Sequence, residues 1–420
     1  MVPRSVLVNR RARRGGGVRL LLLAALVVAL SSCASGRSAP SGARVLGQPS
    51  ATTLVVGQPA PEGTGQLGAV SCPTARRCWA VGVAGPNPSP APGGATVIVA
   101  TADGGTSWKA QQVTGGSTPQ LSAIACPSST QCMAVGSNGS SLPGSGVVVT
   151  TSDAGRTWSP ATAPANVLAI DSVACASPAD CTAIVNSGTS TWSAHSHDFG
   201  ASWQQEGELP ASLQPGDDLT CVPGGTCLVP GYIPSASGHG QGAVAVSSDG
   251  GQTWVLATVP TTAGVLQSVA CLSASDCLAA GSTSTTVSDV IPAKGELVQS
   301  ADGGHTWTPS AVPVPVDDVY GLACPSIRQC VMVGTNWVGF PAVATGAVAQ
   351  SGDGGAHFGT SSAAYIPTTL SGLSCPDTMS CVAVGGRTVA QLTLIRPRHR
   401  TTGTTSTSAP GPPGTQSGIR

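Results

Sequence analysis

The 420-residue chain contains 19 Lys and Arg and 19 Asp and Glu residues, which gives a formal net charge of zero. This balance argues against a nucleic-acid-binding protein and predicts no electrostatic steering of a charged ligand. The 55 Gly and 34 Pro residues disfavour long helices and favour an all-β fold with short strands.

The N-terminal segment has the organisation of a secretory leader. Six arginines and no acid occur in residues 1–19, and an apolar run follows at residues 20–30. A basic region before about eleven apolar residues is typical of a signal peptide, and the run is too short for a comfortable membrane-spanning helix. We therefore predict a leader over residues 1–32 and an exported protein.

The apolar run ends in Leu30-Ser-Ser-Cys33, which resembles the lipobox of bacterial lipoproteins. The resemblance implies that Cys33 is lipidated and becomes the new N-terminus, so the protein would be tethered to the outer surface of the bacterial cell membrane by a lipid anchor alone. The alternative is an ordinary cleavage site at which Cys33 is incidental.

Two segments of low complexity flank the rest of the chain. Residues 33–50 are rich in Ser, Gly, Pro and Ala, and residues 397–420 are rich in Ser, Thr, Gly and Pro. Such compositions predict a flexible linker and a disordered tail, with one folded domain over residues 51–396 between them.

Seven pairs of cysteines, each with five intervening residues, recur along this domain with a period of about 50 residues. That period is typical of a four-stranded propeller blade. The first members of the pairs are Cys72, Cys126, Cys175, Cys221, Cys271, Cys324 and Cys375. The sequence therefore predicts a seven-bladed β-propeller of antiparallel blades.

Each repeat is predicted to hold four strands, A to D. Strand A ends at the first cysteine, as in Leu121–Cys126, and strand B begins at the second. Strand C leads into an eight-residue motif that recurs in the repeats and is described below. Strand D starts at the Trp of that motif, as in Trp254–Pro260. The seventh repeat lacks strand D, while residues 52–59 look like one. We predict that this N-terminal strand completes the last blade and closes the ring.

The eight-residue motif, S/T-x-D-x-G-x-T/S-W, occurs five times, and a sixth copy at residues 351–358 ends in His-Phe. The motif resembles the Asp-box, or bacterial neuraminidase repeat, of β-propellers. A structural role is predicted, in which the Asp accepts turn N–H groups, the Gly adopts positive φ and the Trp packs between sheets. The alternative is that these acids are catalytic or bind a metal. The six aspartates are Asp103, Asp153, Asp198, Asp249, Asp302 and Asp353.

In an exported chain, fourteen paired cysteines predict seven disulfides, each joining strand A to strand B of one blade. The alternative, zinc binding, requires two pairs to converge, whereas neighbouring blades keep these hairpins apart. No metal or other cofactor is predicted. The expected pairs are Cys72–Cys78, Cys126–Cys132, Cys175–Cys181, Cys221–Cys227, Cys271–Cys277, Cys324–Cys330 and Cys375–Cys381.

Blade topology separates two faces. The A–B and C–D turns, which carry the regular motifs, share a bottom face, and the variable B–C and D–A loops share a top face. Variable loops on a rigid scaffold commonly bind ligands. The candidate binding aromatics near these loops are Trp192, Tyr232, Trp337, Phe340 and Tyr320, and the nearby acids are Asp171, Asp217, Asp218, Asp317 and Asp318.

The motif resemblance implies one possible activity, that of a sialidase, whose family binds the substrate carboxylate with three arginines. Four of the five arginines in the domain, Arg76, Arg77, Arg156 and Arg328, fall in bottom-face turns and only Arg387 reaches the top. Another glycoside hydrolase needs two carboxylates about 5–9.5 Å apart. Asp171, Asp217 and Asp318 are the candidates, and the alternative is that they cap strands or bind water.

The repeats also resemble those of photosystem II assembly factors and sortilin-type receptors, which are non-catalytic propellers, over residues 52–395. The favoured function is a monomeric, non-enzymatic binding or assembly module whose top face engages a protein or a glycan. The alternative is a carbohydrate-active hydrolase with carboxylates at the pore mouth.

Overall fold

The computed structural model describes residues 53–55, 59–84, 96–114, 119–235, 240–283, 294–312, 316–339, 342–360 and 366–394. The predicted leader, Cys33, the linker, Phe340 and the C-terminal tail lie outside these residues, so what the sequence predicts for them stays a prediction. The described strands form seven antiparallel sheets, which are the blades of a β-propeller.

The strands follow one another blade by blade from the second strand onward. The first strand, β1 (Thr53–Val55), belongs to the last blade. Blade one contains β2 (Thr64–Thr74), β3 (Arg77–Ala84), β4 (Thr96–Thr101) and β5 (Lys109–Gln111). Blade two contains β6 (Gln120–Ala125), β7 (Cys132–Ser137), β8 (Gly146–Thr151) and β9 (Ser159–Ala161). Blade three contains β10 (Ala169–Ser177), β11 (Asp180–Asn186), β12 (Thr191–Ser196) and β13 (Gln204–Glu208).

The fourth blade differs in that its inner strand is divided into two short pieces. Blade four contains β14 (Gln214–Pro215), β15 (Thr220–Val222), β16 (Thr226–Ile233), β17 (Gln241–Ser247) and β18 (Val255–Leu256). Blade five contains β19 (Val265–Cys271), β20 (Cys277–Ser282), β21 (Gly295–Ser300) and β22 (Thr308–Ser310). Blade six contains β23 (Asp318–Ala323), β24 (Cys330–Val338), β25 (Val343–Ser351) and β26 (Gly359–Thr360). Blade seven contains β27 (Gly372–Ser374), β28 (Ser380–Gly385) and β29 (Thr388–Thr393).

The ring closes as predicted, because β1 pairs antiparallel with β29 and supplies the outer strand of blade seven. Thr53 lies opposite Thr393, and Val55 lies opposite Gln391. Blades one and seven are also joined at their inner strands, where the Cys72 N–H donates to Ser374 Oγ at 3.0 Å. The outer strands are shorter than the sequence predicts. In blade four the strand ends at Leu256 instead of reaching Pro260.

All seven predicted disulfides are present, and each ties strand A to strand B of one blade. In blade one, Cys78 lies opposite Thr101, the first residue of the eight-residue motif, and the same pairing recurs through blade six. This register puts the disulfide hairpins and the motif turns at one end of the blades. We call that end the bottom face and the opposite end the top face.

The motif aspartates are committed to bonds within their own turns. In the second copy, Asp153 Oδ1 accepts the Thr151 hydroxyl at 2.9 Å and the Thr157 N–H at 3.0 Å, while Oδ2 accepts the Thr157 hydroxyl at 2.7 Å. Gly155 adopts a φ of 78° in this turn. These bonds lower the pKa of Asp153 to about 2, the Thr157 N–H contributing most. An acid held in this way is a turn-forming residue.

The core lies between neighbouring blades. Trp158 of blade two is 0% exposed and shares one cluster with Trp79 and Ile98 of blade one. Its Nε1–H donates to Gln111 Oε1 of blade one at 2.7 Å, and the Trp254 Nε1–H of blade four likewise donates to Ser193 Oγ of blade three at 3.1 Å. Trp158 and Trp254 therefore join consecutive blades through apolar packing and a directed hydrogen bond, whereas the Nε1–H groups of Trp108 and Trp307 donate within their own motif turns.

Candidate binding face and central channel

A cavity of about 830 Å³ runs through the centre of the ring, and strand A of every blade contributes to its wall. Strand A of each blade runs from the top face toward the disulfide at the bottom face. Residues that precede the first cysteine of each pair by several positions therefore line the upper part of the channel.

A bulge interrupts strand A in several blades, at the residue four positions before the first cysteine. The pairing with strand B skips Gly68, Ser122, Asp171, Gln267 and Tyr320. In blade four the corresponding residue, Asp217, lies between β14 and β15. A bulge re-aims the side chain of the extra residue. The residues at these positions form a ring around the channel. Some blades contribute small residues to it, and the blades on the other side contribute larger polar residues.

The larger polar residues include two carboxylates in adjacent blades. Burial and the neighbouring charge of Asp217 raise the pKa of Asp171 to about 6. Confinement within the channel also raises the pKa of Asp217, which contributes to the cavity wall. Asp171 occupies the bulged position of blade three that corresponds to Asp217 in blade four, so two of the three candidate carboxylates lie at equivalent positions of adjacent blades. We call this pair the channel acids.

A third acid, Asp218, has a different role. Its Oδ2 accepts the Ser268 hydroxyl at 2.7 Å and the Val269 N–H at 2.9 Å, both from blade five. Ser268 Oγ in turn accepts the Leu322 N–H of blade six at 3.0 Å. Burial raises the pKa of Asp218 although these hydrogen bonds act in the opposite direction. Asp218 therefore links three consecutive blades around the channel.

Asp171→Asn is expected to stabilise the protein at pH 8 and to change little at pH 4. Because the folded-state pKa of about 6 exceeds that of an unfolded Asp, the folded state holds the proton longer. The wild-type free energy of unfolding therefore falls as pH rises from about 4 to 6 and stays reduced above that range. After allowance for partial hydration, the gain at pH 8 is about 1–2 kcal/mol. Chemical denaturation at both pH values measures it, and equal stability of the two proteins at pH 8 would contradict it.

The third candidate carboxylate does not join the channel acids. Asp318 is buried at the start of β23, where its Oδ2 accepts the Trp337 Nε1–H at 2.9 Å. Asp317 Oδ2 accepts the Trp337 backbone N–H at 2.7 Å. The prediction that Asp318 lines the pore mouth is therefore wrong, because both of these acids hold one tryptophan.

That tryptophan belongs to the longest B–C hairpin of the described blades. Strands β24 and β25 have nine residues each, and Trp337 lies opposite Ala344 near the top of the hairpin. Trp337 is 39% exposed, and Val338 and Val343 beside it are exposed as well. We call these three residues the blade-six patch. All three residues lie near the top of the hairpin, where Trp337 is held by one hydrogen bond from its ring N–H and one from its backbone N–H.

The other aromatic candidates are less accessible. Trp192 is 6% exposed and packs in the core between blades two and three, so its prediction as a surface anchor is wrong. Tyr232 is half-buried in β16. Tyr320 is half-buried in the channel wall, where burial and the charge of Asp318 raise its pKa. Of these aromatics, Trp337 offers the accessible ring on the top face and Tyr320 the one in the channel.

The charge of the described residues differs from that of the whole chain. They contain 18 Asp and Glu but 7 Lys and Arg, a formal net charge of −11, while twelve arginines lie in residues 1–44 and 396–420. The expectation of no electrostatic steering, drawn from the zero balance of the whole chain, is wrong for the propeller, because its described residues carry a net negative charge.

The described arginines match the distribution predicted from sequence. Arg76, Arg77 and Arg328 lie at the A–B hairpins, Arg156 lies in a motif turn, and Arg387 lies at the β28–β29 turn on the top face. None of the five contributes to the channel wall. Three arginines therefore do not converge at the channel. Nor does the described part of the chain contain a helix with the length and hydropathy of a membrane span.

Solved structures with the same fold come from proteins of different function. The structure titled YCF48 bound to D1 peptide is 14% identical, with a TM-score of 0.56 over 83% of this chain and 98% of that one. An ulvan lyase, a polysaccharide lyase bound to a GlcA–Rha3S saccharide, is 11% identical, with a TM-score of 0.52 over 81% and 96%. The GH74 xyloglucanase from Xanthomonas campestris is 14% identical, with a TM-score of 0.50 over 80% and 53%.

No model of a known protein family matches the chain, and no curated protein sequence matches it. At these identities the structural similarities show the fold alone. The chain is a seven-bladed β-propeller whose structural neighbours include both binding proteins and enzymes.

Proposed function

We propose that the protein is an exported, membrane-tethered, non-enzymatic propeller that binds a protein or a glycan through its top face. The blade-six patch carries this proposal. It presents an exposed tryptophan whose ring N–H is bonded to Asp318 and whose backbone N–H is bonded to Asp317. A ring fixed in this way loses little freedom on binding, and rigid aromatic anchors dominate the energetics of many interfaces.

The bottom face offers a contrast that supports the choice of the top. Its motif turns repeat one bonding pattern from blade to blade, and their carboxylates are saturated by their own turns. The neighbour bound to a D1 peptide is a propeller of this kind that binds a peptide. The seven disulfides indicate an extracellular or exported protein.

The alternative function is glycoside hydrolysis at the channel acids. The observation that favours it is the pKa of Asp171 of about 6, which would allow this carboxyl to donate a proton near neutral pH while Asp217 served as its partner. Incubation with a panel of polysaccharides tests it. Release of reducing sugar by the wild type, abolished in Asp171→Asn, would establish hydrolysis in place of simple binding.

Trp337→Ala is expected to weaken ligand binding about 30-fold or more, because truncation of an aromatic anchor typically costs at least 2 kcal/mol. The full chain is applied to glycan and peptide arrays, and the ligands that are retained are then titrated against the variant. Ile327→Ala is the matched control, because Ile327 is a 70% exposed apolar residue in a bottom-face hairpin. If Ile327→Ala abolished binding and Trp337→Ala did not, the top face would not be the binding face.

The lipid tether rests on the basic, apolar leader and the lipobox-like residues up to Cys33. Cys33→Ala is expected to move the protein from the membrane fraction to the medium, because the thioether-linked lipid would be lost. Fractionation of expressing cells followed by immunoblotting measures the change. A variant that stays with the membrane as firmly as the wild type would show that the anchor is elsewhere.

A further inference from the structure

The channel acids occupy equivalent positions in adjacent blades, and the cavity wall contains no basic residue in the described part of the chain. None of the seven Lys and Arg residues in the described part of the chain contributes to the cavity. Enclosed carboxylates in proteins are normally paired with a cation or neutralised by a proton. The channel thus has a local charge that a cationic ligand would compensate.

A second observation in the same place is independent of the carboxylates. Ser172 follows Asp171 in β10 and contributes to the cavity wall. It is 2% exposed, and its Oγ has no hydrogen-bond partner among the described residues. Buried polar side-chain atoms usually have a partner, so an unpaired hydroxyl beside two acids indicates a polar ligand.

We propose that the channel acids form a site for an ammonium or guanidinium group, with Ser172 as a further acceptor. The inference deepens the proposed function, because it gives the chemistry of one group on the ligand. The ring of bulged positions leaves room for such a ligand. Gly68, Ser122 and Ser371 line one side with small side chains, and Gln267 continues the polar side beyond Asp217.

An organic cation suits this site better than a metal ion. No three His, Cys, Asp or Glu side chains in the described parts of the chain are arranged to hold a metal ion. An ammonium group needs two or three hydrogen-bond acceptors, and carboxylates and a hydroxyl are acceptors of this kind. The net charge of −11 over the described residues would raise the local concentration of such cations around the ring.

The test uses the full chain and three probes in calorimetric titrations at pH 8. The probes are acetyl-Gly-Lys-Gly-amide, the same peptide with norleucine in place of lysine, and spermidine. The lysine peptide or spermidine is expected to bind at least 10-fold more tightly than the norleucine peptide, because norleucine keeps the length of lysine without its charge. Tighter binding of the lysine peptide would identify a side chain of a protein partner, and tighter binding of spermidine a free amine.

Asp217→Asn is expected to weaken binding of the cationic probe about 10-fold or more. Asp276→Asn, which removes the same charge from a bottom-face hairpin, is expected to leave it unchanged. Equal binding of lysine and norleucine peptides, no binding of either cation at millimolar concentration, or equal losses in the two variants would overturn the site. If cations fail while array ligands bind in a Trp337-dependent manner, this inference fails and the proposed function stands. If a cation binds in an Asp217-dependent manner while no array ligand binds, the cation site stands and the proposed top-face binding function fails.

Discussion

Complete reduction of the seven disulfides is expected to unfold the propeller at temperatures where the oxidised protein is stable. Each bond joins cysteines six positions apart, and the chain-entropy model gives about 2 kcal/mol for a loop of this size. Seven such contributions together are on the order of the 5–15 kcal/mol by which a typical domain is stable. Circular dichroism melting curves with and without reductant measure the effect.

Removal of one bond provides the graded comparison. Cys126→Ser combined with Cys132→Ser is expected to lower the melting temperature by about 3 °C, because about 2 kcal/mol is lost from a domain of about 345 residues whose unfolding entropy grows with its length. Cys33→Ser serves as the matched control, since Cys33 belongs to no disulfide in the described residues and its loss should leave melting unchanged. Coincident melting of the reduced and oxidised proteins would show that the hairpins are stable without their covalent links.

Trp158→Ala is expected to destabilise the protein by about 3–5 kcal/mol, the usual cost of truncating a large buried aromatic side chain. Trp158 is 0% exposed between blades one and two, and the substitution would also leave Gln111 Oε1 without its donor. Because the packing is between blades, the loss should affect the whole ring cooperatively. Urea denaturation followed by circular dichroism measures the change in free energy of unfolding.

The comparison variant is Trp337→Ala, which removes a ring of the same size from the top face. Trp337 is 39% exposed, so its truncation should cost much less stability than that of Trp158 while impairing binding. If Trp337→Ala destabilised the protein as much as Trp158→Ala, the blade-six patch would be a structural element and a poor candidate for a docking surface.

The architecture could be predicted because its signals are local and repeated. A pair of cysteines such as Cys126 and Cys132 marks one hairpin, and seven copies fix the number of blades. The absence of a motif after Thr388–Thr393, together with a strand-like segment near Thr53, was enough to predict how the ring closes. Each of these inferences needs only residues that are close in sequence, or a count of repeats.

The candidate site was harder to predict because it depends on contacts between distant residues. Trp192 was expected at the surface, but strand C is covered on both faces by neighbouring blades, and Ala194 two positions later packs in the same core cluster. Asp318 was expected in the channel, but it binds a tryptophan 19 positions away. No local pattern reports either contact.

One part of the site could have been found from the sequence. Alignment of the repeats at four positions before the first cysteine would have shown the whole ring, in which blades three to six contribute Asp171, Asp217, Gln267 and Tyr320 and the other blades contribute Gly68, Ser122 and Ser371. The uneven distribution of charge along the chain could also have been seen in the sequence, because twelve of the arginines lie outside the repeats. The net charge of the whole chain concealed it.

The pairing of β1 with β29 sets an order of assembly. Each disulfide hairpin can form as soon as its own few residues have reached an oxidising compartment, whereas Thr53 finds its partner Thr393 only when nearly the whole domain has arrived there. The first strand of the propeller to be made is therefore the last to be paired, and until then blade seven presents an unpaired edge. Local covalent hairpins keep the unfinished blades in register during this interval, and the three residues of β1 convert an open row of blades into a closed ring.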